Sequence, residues 1–158
     1  YEVPAHGVKI LRVEGEQRLE PVLYEAEQAY LNQFDDLAKR ERIVGYKPYD
    51  GASGGMVVSN LGGSRDNYAE WKEVYSERGG KYLMYIPTGK KDREINDRIL
   101  EVEINGNRVV VDNLKKDSET VATVTVPVDL KPGYNVVRMS SRLTWTPDID
   151  CFTLERVN

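Results

Sequence analysis

The chain has 158 residues, enough for one sizeable core and no more than one full domain plus an appendage. Its 22 Lys and Arg against 26 Asp and Glu give a net charge of -4 with no basic stripe, which argues against nucleic acid and anionic membrane surfaces as partners. No apolar stretch approaches the roughly 20 residues that cross a bilayer, and a single cysteine, Cys151, excludes an internal disulfide or a Cys-rich metal site.

The sequence opens without Met or a signal peptide and so reads as a piece of something longer. Residues 8–13 are β-rich; residues 14–21 are charged, break the strand pattern and end in Pro21. This predicts that 1–13 close a preceding domain, 14–21 form a linker and 22–158 form one module. His6, with no Ser, Cys or second His nearby, reads as structural. Residues 28–42 carry Ala29, Leu31, Phe34 and Leu37 without a clean apolar stripe, which predicts a loop with one helical turn at most. Residues 82–86 form a strongly apolar strand closed by Pro87. Residues 100–104 alternate apolar and charged, meet the hairpin signal Asn105-Gly106-Asn107 and return over 108–111. Residues 121–128 alternate again, Lys131-Pro132-Gly133-Tyr134 is a turn, and 135–139 and 150–157 are further strands. Cys151, among Ile149, Phe152 and Leu154, reads as a small buried thiol. Many short strands with Gly and Pro turns predict an all-β sandwich or jelly roll, with Leu83, Val102, Ile104, Val124, Val126, Val136 and Phe152 facing inward.

Six short motifs, in order, resemble carbohydrate-binding modules of families 35 and 6, closer to 35. They are Tyr24-Glu25-Ala26-Glu27, Ala52-Ser53-Gly54-Gly55, Gly79-Gly80-Lys81-Tyr82, Ile104-Asn105-Gly106, Leu130-Lys131-Pro132-Gly133-Tyr134-Asn135 and Pro147-Asp148-Ile149-Asp150. The resemblance implies a galactose-binding-domain-like jelly-roll β-sandwich that binds carbohydrate and does no chemistry. A Trp common in the family before the Leu-x-x-Gly turn is missing from 118–128, which leaves specificity open. Val3-Pro4-Ala5-His6-Gly7-Val8 resembles the end of the C-terminal β domain of family 27 α-galactosidases. That likeness implies a secreted or periplasmic glycoside hydrolase as parent, with its catalytic domain as neighbour.

Glu25 and Glu27, two apart, share one face of a strand, and the resemblance brings Asp150 beside them. Three carboxylates without a nearby Lys repel one another, and Ca²⁺, a hard cation taking six to eight oxygens, removes that repulsion. The resemblance implies such a structural calcium; the plain alternative is a solvated strand face. A sugar site needs an aromatic platform and polar groups for hydroxyls. Trp145, in the expected loop 144–148, is the candidate platform, with a core role as its alternative. Asp148 stands where the family commonly places a ligand-binding Asn; a carboxylate accepts but cannot donate, which suits neutral rather than acidic sugars. Tyr46, Tyr49 and Asn60 are further candidates, and Arg93 is either a hydroxyl ligand or solvated surface. Trp71 reads as core. Two rivals remain: a glycosidase using Asp148 and Asp150, whose shared face and lack of a pocket speak against catalysis, and a scaffold domain that packs on a catalytic domain without binding sugar.

Overall fold

The computed structural model describes residues 19–32, 44–88, 98–111 and 122–157. The expected strand 8–13, His6, the linker up to residue 18, most of 28–42 and Arg93 lie outside them. The described strands are β1 (Leu23–Glu25), β2 (Tyr30–Asn32), β3 (Gly45–Pro48), β4 (Met56–Ser59), β5 (Gly62–Ser76) and β6 (Gly80–Thr88). Next come β7 (Leu100–Ile104), β8 (Asn107–Val111), β9 (Ala122–Leu130), β10 (Gly133–Trp145) and β11 (Cys151–Arg156), with a single 3₁₀ turn, Ala26–Gln28, after β1. One antiparallel sheet has the order β1-β11-β6-β9 and the other β2-β5-β10-β7-β8. Ile149 bridges both Val58 and Thr88 and so ties the β3–β4 hairpin to the end of β6. The fold is the all-β jelly-roll sandwich that the alternating strands imply.

Period-2 alternation places the core. In β9, Val124, Val126, Val128 and Leu130 are buried while Thr123, Thr125, Pro127 and Asp129 face water. Pro127 is tolerated because β9 is an edge strand. Met84 and Ile86 of β6, Val102 and Ile104 of β7, and Phe152 complete the interior. Two expected core residues face the other way. In β6 the inward set is Tyr82, Met84 and Ile86, so Leu83 lies on the outer face, and the strand runs through Pro87 to Thr88. A strand apolar on both faces gives no parity for the sequence to reveal. In β10 Val137 and Met139 point inward, and Val136 is exposed because Asn135 takes the inward position before it.

Asn135 goes in because it organises the β9–β10 turn. Its Oδ1 accepts from the Lys131 N–H (2.9 Å) and Asn105 Nδ2 (2.7 Å), and its Nδ2 donates to Lys131 O (3.0 Å) and Val74 O (3.2 Å). Asn135→Ala should cost about 2 kcal/mol, since buried partners lose their bonds without access to water. Urea denaturation measures this, and an unchanged midpoint would contradict the assigned network.

The longest strand, β5, was not among the expected elements. Opposite β10, its pairing advances from Val74 to Trp71 while β10 advances only from Asn135 to Val137, a bulge that breaks the two-residue period. Trp71 and Val74 therefore both point inward although three residues apart. Trp71, 2% exposed, meets Phe152 edge-on at 5.2 Å, as its core reading requires. Glu20, within the stretch 14–21 expected as linker, is tied to the body of the fold: its carboxylate accepts from Ser76 Oγ (3.1 Å), Tyr82 Oη (3.1 Å) and the Glu77 N–H.

Candidate functional site

Two neighbouring features occupy one end of the sandwich. The first is an acidic pocket under the β3–β4 turn. Glu25 ends β1 opposite Cys151 of β11, and the next pair along, Tyr24 and Phe152, stacks inside the core at 4.8 Å. Glu25 and Cys151 thus share the opposite, outer face of the sheet. Glu27 does not share a strand with Glu25 as expected: it sits in the 3₁₀ turn, which swings its carboxylate beneath Gly54. A Cβ on Gly54 would overlap that carboxylate, so a larger residue there would push the Glu27 side chain aside.

Asp150 arrives just ahead of β11, its carbonyl accepting from the Ala26 N–H at 2.9 Å. Its Oδ1 accepts from the Ser53 N–H at 2.9 Å, while the Ser53 hydroxyl donates to Glu25 Oε1 at 2.9 Å. Glu25 Oε2 is buried and has no hydrogen-bond partner among the described residues. Burial, and next the Glu27 charge, raise the Asp150 pKa against the Ser53 N–H. Stability without a cation therefore declines as pH rises through the Asp150 titration, since the folded state holds that proton more tightly than the unfolded chain. Burial also pushes the Cys151 thiol up to about 12, helped by the Asp150, Glu25 and Glu27 charges. Cys151 is buried as expected, but beneath this turn rather than between the sheets.

The donor set fits a divalent cation: the Glu25 and Asp150 carboxylates converge, the Glu27 charge acts on Asp150, one buried oxygen lacks a donor, and no Lys or Arg pairs with the three among the described residues. Sequence reasoning found Glu25, Glu27 and Asp150 but gave no role to Ser53, Gly54 or Cys151. The Ala-Ser-Gly-Gly motif was the available signal, since Ser53 holds Glu25 and Asp150 and Gly54 lies against the Glu27 carboxylate.

The second feature surrounds residues 144–149. Trp145 is the last residue of β10, paired with Gly62, and not in a loop as expected. Its half-buried six-membered ring lies along Gly63, where an added Cβ would be 3.6 Å from Cη2. The segment behind it is pinned: the Thr146 N–H donates to Leu61 O at 2.8 Å, Arg98 donates to Thr146 O, and Ile149 is fully buried. Asp148, between Pro147 and Ile149, lies 4.0 Å from Lys47 Nζ on β3. Asn60, in a left-handed conformation (φ 57°), stands two residues before Gly62 and accepts at its carbonyl from Asn67 Nδ2 (2.8 Å).

Tyr46 is exposed on β3, with its hydroxyl donating to Ala29 O. Burial first, then Glu27, raises its pKa. Tyr49 opens the turn over the acidic pocket, its N–H donating to Gly55 O at 3.0 Å. Trp145, Asp148 and Asn60 are thus gathered around one segment, whereas Tyr49 belongs to the turn above the carboxylates. Asp148 and Asp150 serve different partners, Lys47 and Ser53.

No family model matches the chain, and no curated protein sequence matches it. Solved structures share its fold. A family 35 carbohydrate-binding module from Clostridium thermocellum is similar with a TM-score of 0.71 and 23% identity, over 85% of this chain and 98% of that one. A family 35 module from Paenibacillus barcinonensis gives 0.67 and 20%, over 87% of this chain and all of that one. An exo-β-1,3-galactanase from Phanerochaete chrysosporium, solved with galactose, gives 0.68 and 24% over 84% of this chain, which spans 29% of that enzyme.

Proposed function

We propose that this chain is a non-catalytic carbohydrate-binding module stabilised by a structural Ca²⁺ held by Glu25, Glu27 and Asp150. Its ligands are neutral galactose-containing or related plant glycans. The parent protein is a secreted or periplasmic glycoside hydrolase of α-galactosidase type, whose catalytic domain this module accompanies. The observation that carries the reading is the half-buried Trp145 ring along Gly63, on the same short segment as the Asp148 that pairs with Lys47. A rigid apolar face suits the C–H side of a pyranose, and an acceptor beside a donor suits neutral hydroxyls. Lys47 offsets part of the Asp148 charge, which weakens the argument against acidic sugars without reversing it.

Among the described residues no helix is long and apolar enough to cross a membrane. The fold likeness to family 35 modules, and to a galactanase solved with galactose, supports the substrate class.

A shallow site with one platform predicts binding at micromolar to millimolar Kd, since association entropy consumes much of what few contacts supply. Trp145→Ala should weaken binding about thirtyfold, the loss of about 2 kcal/mol typical of a central aromatic. Asp148→Asn should shift preference toward uronates with little change in stability. A glycan array followed by fluorescence titration of both variants decides it. If Trp145→Ala binds as tightly as the original chain, the site lies elsewhere. If no glycan binds, Trp145 is a packing residue and the module is a scaffold.

A further inference from the structure

We infer that the acidic pocket beneath the β3–β4 turn also takes a thiophilic divalent cation of the Zn²⁺ and Cd²⁺ class, with Cys151 as its sulfur ligand. The inference shares Glu25 and Asp150 with the calcium reading but rests on a different atom. Cys151 Sγ and carboxylate oxygens of Glu25 and Asp150 all lie within 4.8 Å of one another. The β1–β11 register makes Glu25 and Cys151 direct cross-strand partners, so both side chains leave the same face. Cys151 is only 4% exposed and stands outside the cluster that fills the sandwich, on the face that carries Glu25.

One oxygen of this cluster has no partner: Glu25 Oε2 is buried without a donor among the described residues, and Cys151 Sγ lies within 4.8 Å of a Glu25 carboxylate oxygen. A buried carboxylate oxygen left in this state is costly, and a cation between it and the sulfur satisfies both. The donor types decide which cation gains most. Ca²⁺ uses oxygen alone and wants six to eight ligands, so it gains nothing from sulfur. Zn²⁺ and Cd²⁺ favour thiolate and accept about four ligands in a tetrahedron. Glu25, Asp150 through the oxygen that Ser53 does not hold, and Cys151 supply three of these. Glu27 or water completes the set. Binding exchanges the S–H bond for a metal–sulfur bond and releases the proton to solvent, with no change of oxidation state.

The test uses the full chain and Cd²⁺, followed by the ultraviolet sulfur-to-cadmium charge-transfer band. Cys151 is the chain's one cysteine, so the band reports it alone. The expected result is a band that saturates at one equivalent of Cd²⁺ and declines as Ca²⁺ is added. Cys151→Ser and Cys151→Ala should lose the band, bind Cd²⁺ about tenfold or more weakly, and keep any stabilisation by Ca²⁺. If either variant folds poorly, protection of Cys151 from alkylation by Cd²⁺ in the unaltered chain, read by mass spectrometry, replaces the comparison. No band and no protection, with Ca²⁺ still raising the melting midpoint, overturns the sulfur ligand and leaves the calcium reading intact. A saturating band with no response to Ca²⁺ supports this inference and removes the calcium reading. Silence toward both metals refutes both.

Discussion

Trp71→Ala is expected to destabilise the fold by about 3–5 kcal/mol, the usual range for removing a buried aromatic. Trp71 is 2% exposed and stands at one end of a chain of ring contacts in the core. Its ring meets Phe152 edge-on at 87°, and Phe152 in turn stacks on Tyr24 at 13°. Truncation opens a cavity between two sheets whose backbones are laddered on both sides, so little collapse can refill it. For a chain of this length the loss corresponds to a fall of about 6–20 °C in the melting midpoint. Trp71 also donates from Nε1 to the Glu25 carbonyl at 2.9 Å, which links the core to the first carboxylate of the acidic pocket. Trp71→Phe should keep most of the packing, orphan that carbonyl and cost about 1–3 kcal/mol. Calorimetry on both variants tests this, and a Trp71→Ala midpoint equal to that of the original chain would refute the assigned core.

Calcium is expected to raise the melting midpoint by about 5–10 °C at a concentration near 100 times its Kd. That range follows from about 2.7 kcal/mol of native-state binding energy, spread over the unfolding entropy of a chain this size. Glu27→Ala should abolish the increase. Gly54→Ala should reduce it, because the added Cβ displaces the Glu27 carboxylate. In EDTA the stability should fall as pH rises through the Asp150 titration, because burial first and then Glu27 raise that pKa in the folded state. Calcium should reverse the sign, since a bound cation favours the ionised carboxylates. Melting curves that are identical with EDTA and with calcium would remove the metal from the proposed function.

The fold class was legible because much of it is written in local alternation. Residues 123–128 alternate between core and solvent as a half-buried strand must, and in 100–104 the apolar residues Leu100, Val102 and Ile104 point inward as expected, while Glu101 is buried as well, paired with Arg108 and Arg142. Asn105 and Gly106 carry the positive φ angles, 49° and 88°, that a two-residue hairpin turn demands. Local spacing also marked Glu25 and Glu27, and the family resemblance added Asp150; Glu25 and Asp150 meet in the structure.

What escaped the sequence depends on partners remote along the chain. The bulges of β5 exist only against β10, and they erase the period by which a strand is recognised. Asn135 points inward because Val74, Lys131 and Asn105 wait for it there, which reverses the ordinary rule that sends the valine in and the amide out. Ser53 meets Asp150 across 97 residues, and Lys47 meets Asp148 only after Ile149 is bridged to Val58. By itself the sequence determined the all-β class, the main turns and the Glu25–Glu27 pair, because backbone conformation, hydropathy and spacing are properties of neighbours in the chain. The tertiary structure alone decided which face Leu83, Val136 and Cys151 occupy. A strand's parity is set by the sheet it joins, and a pocket's donors are chosen by register between segments that no local pattern connects.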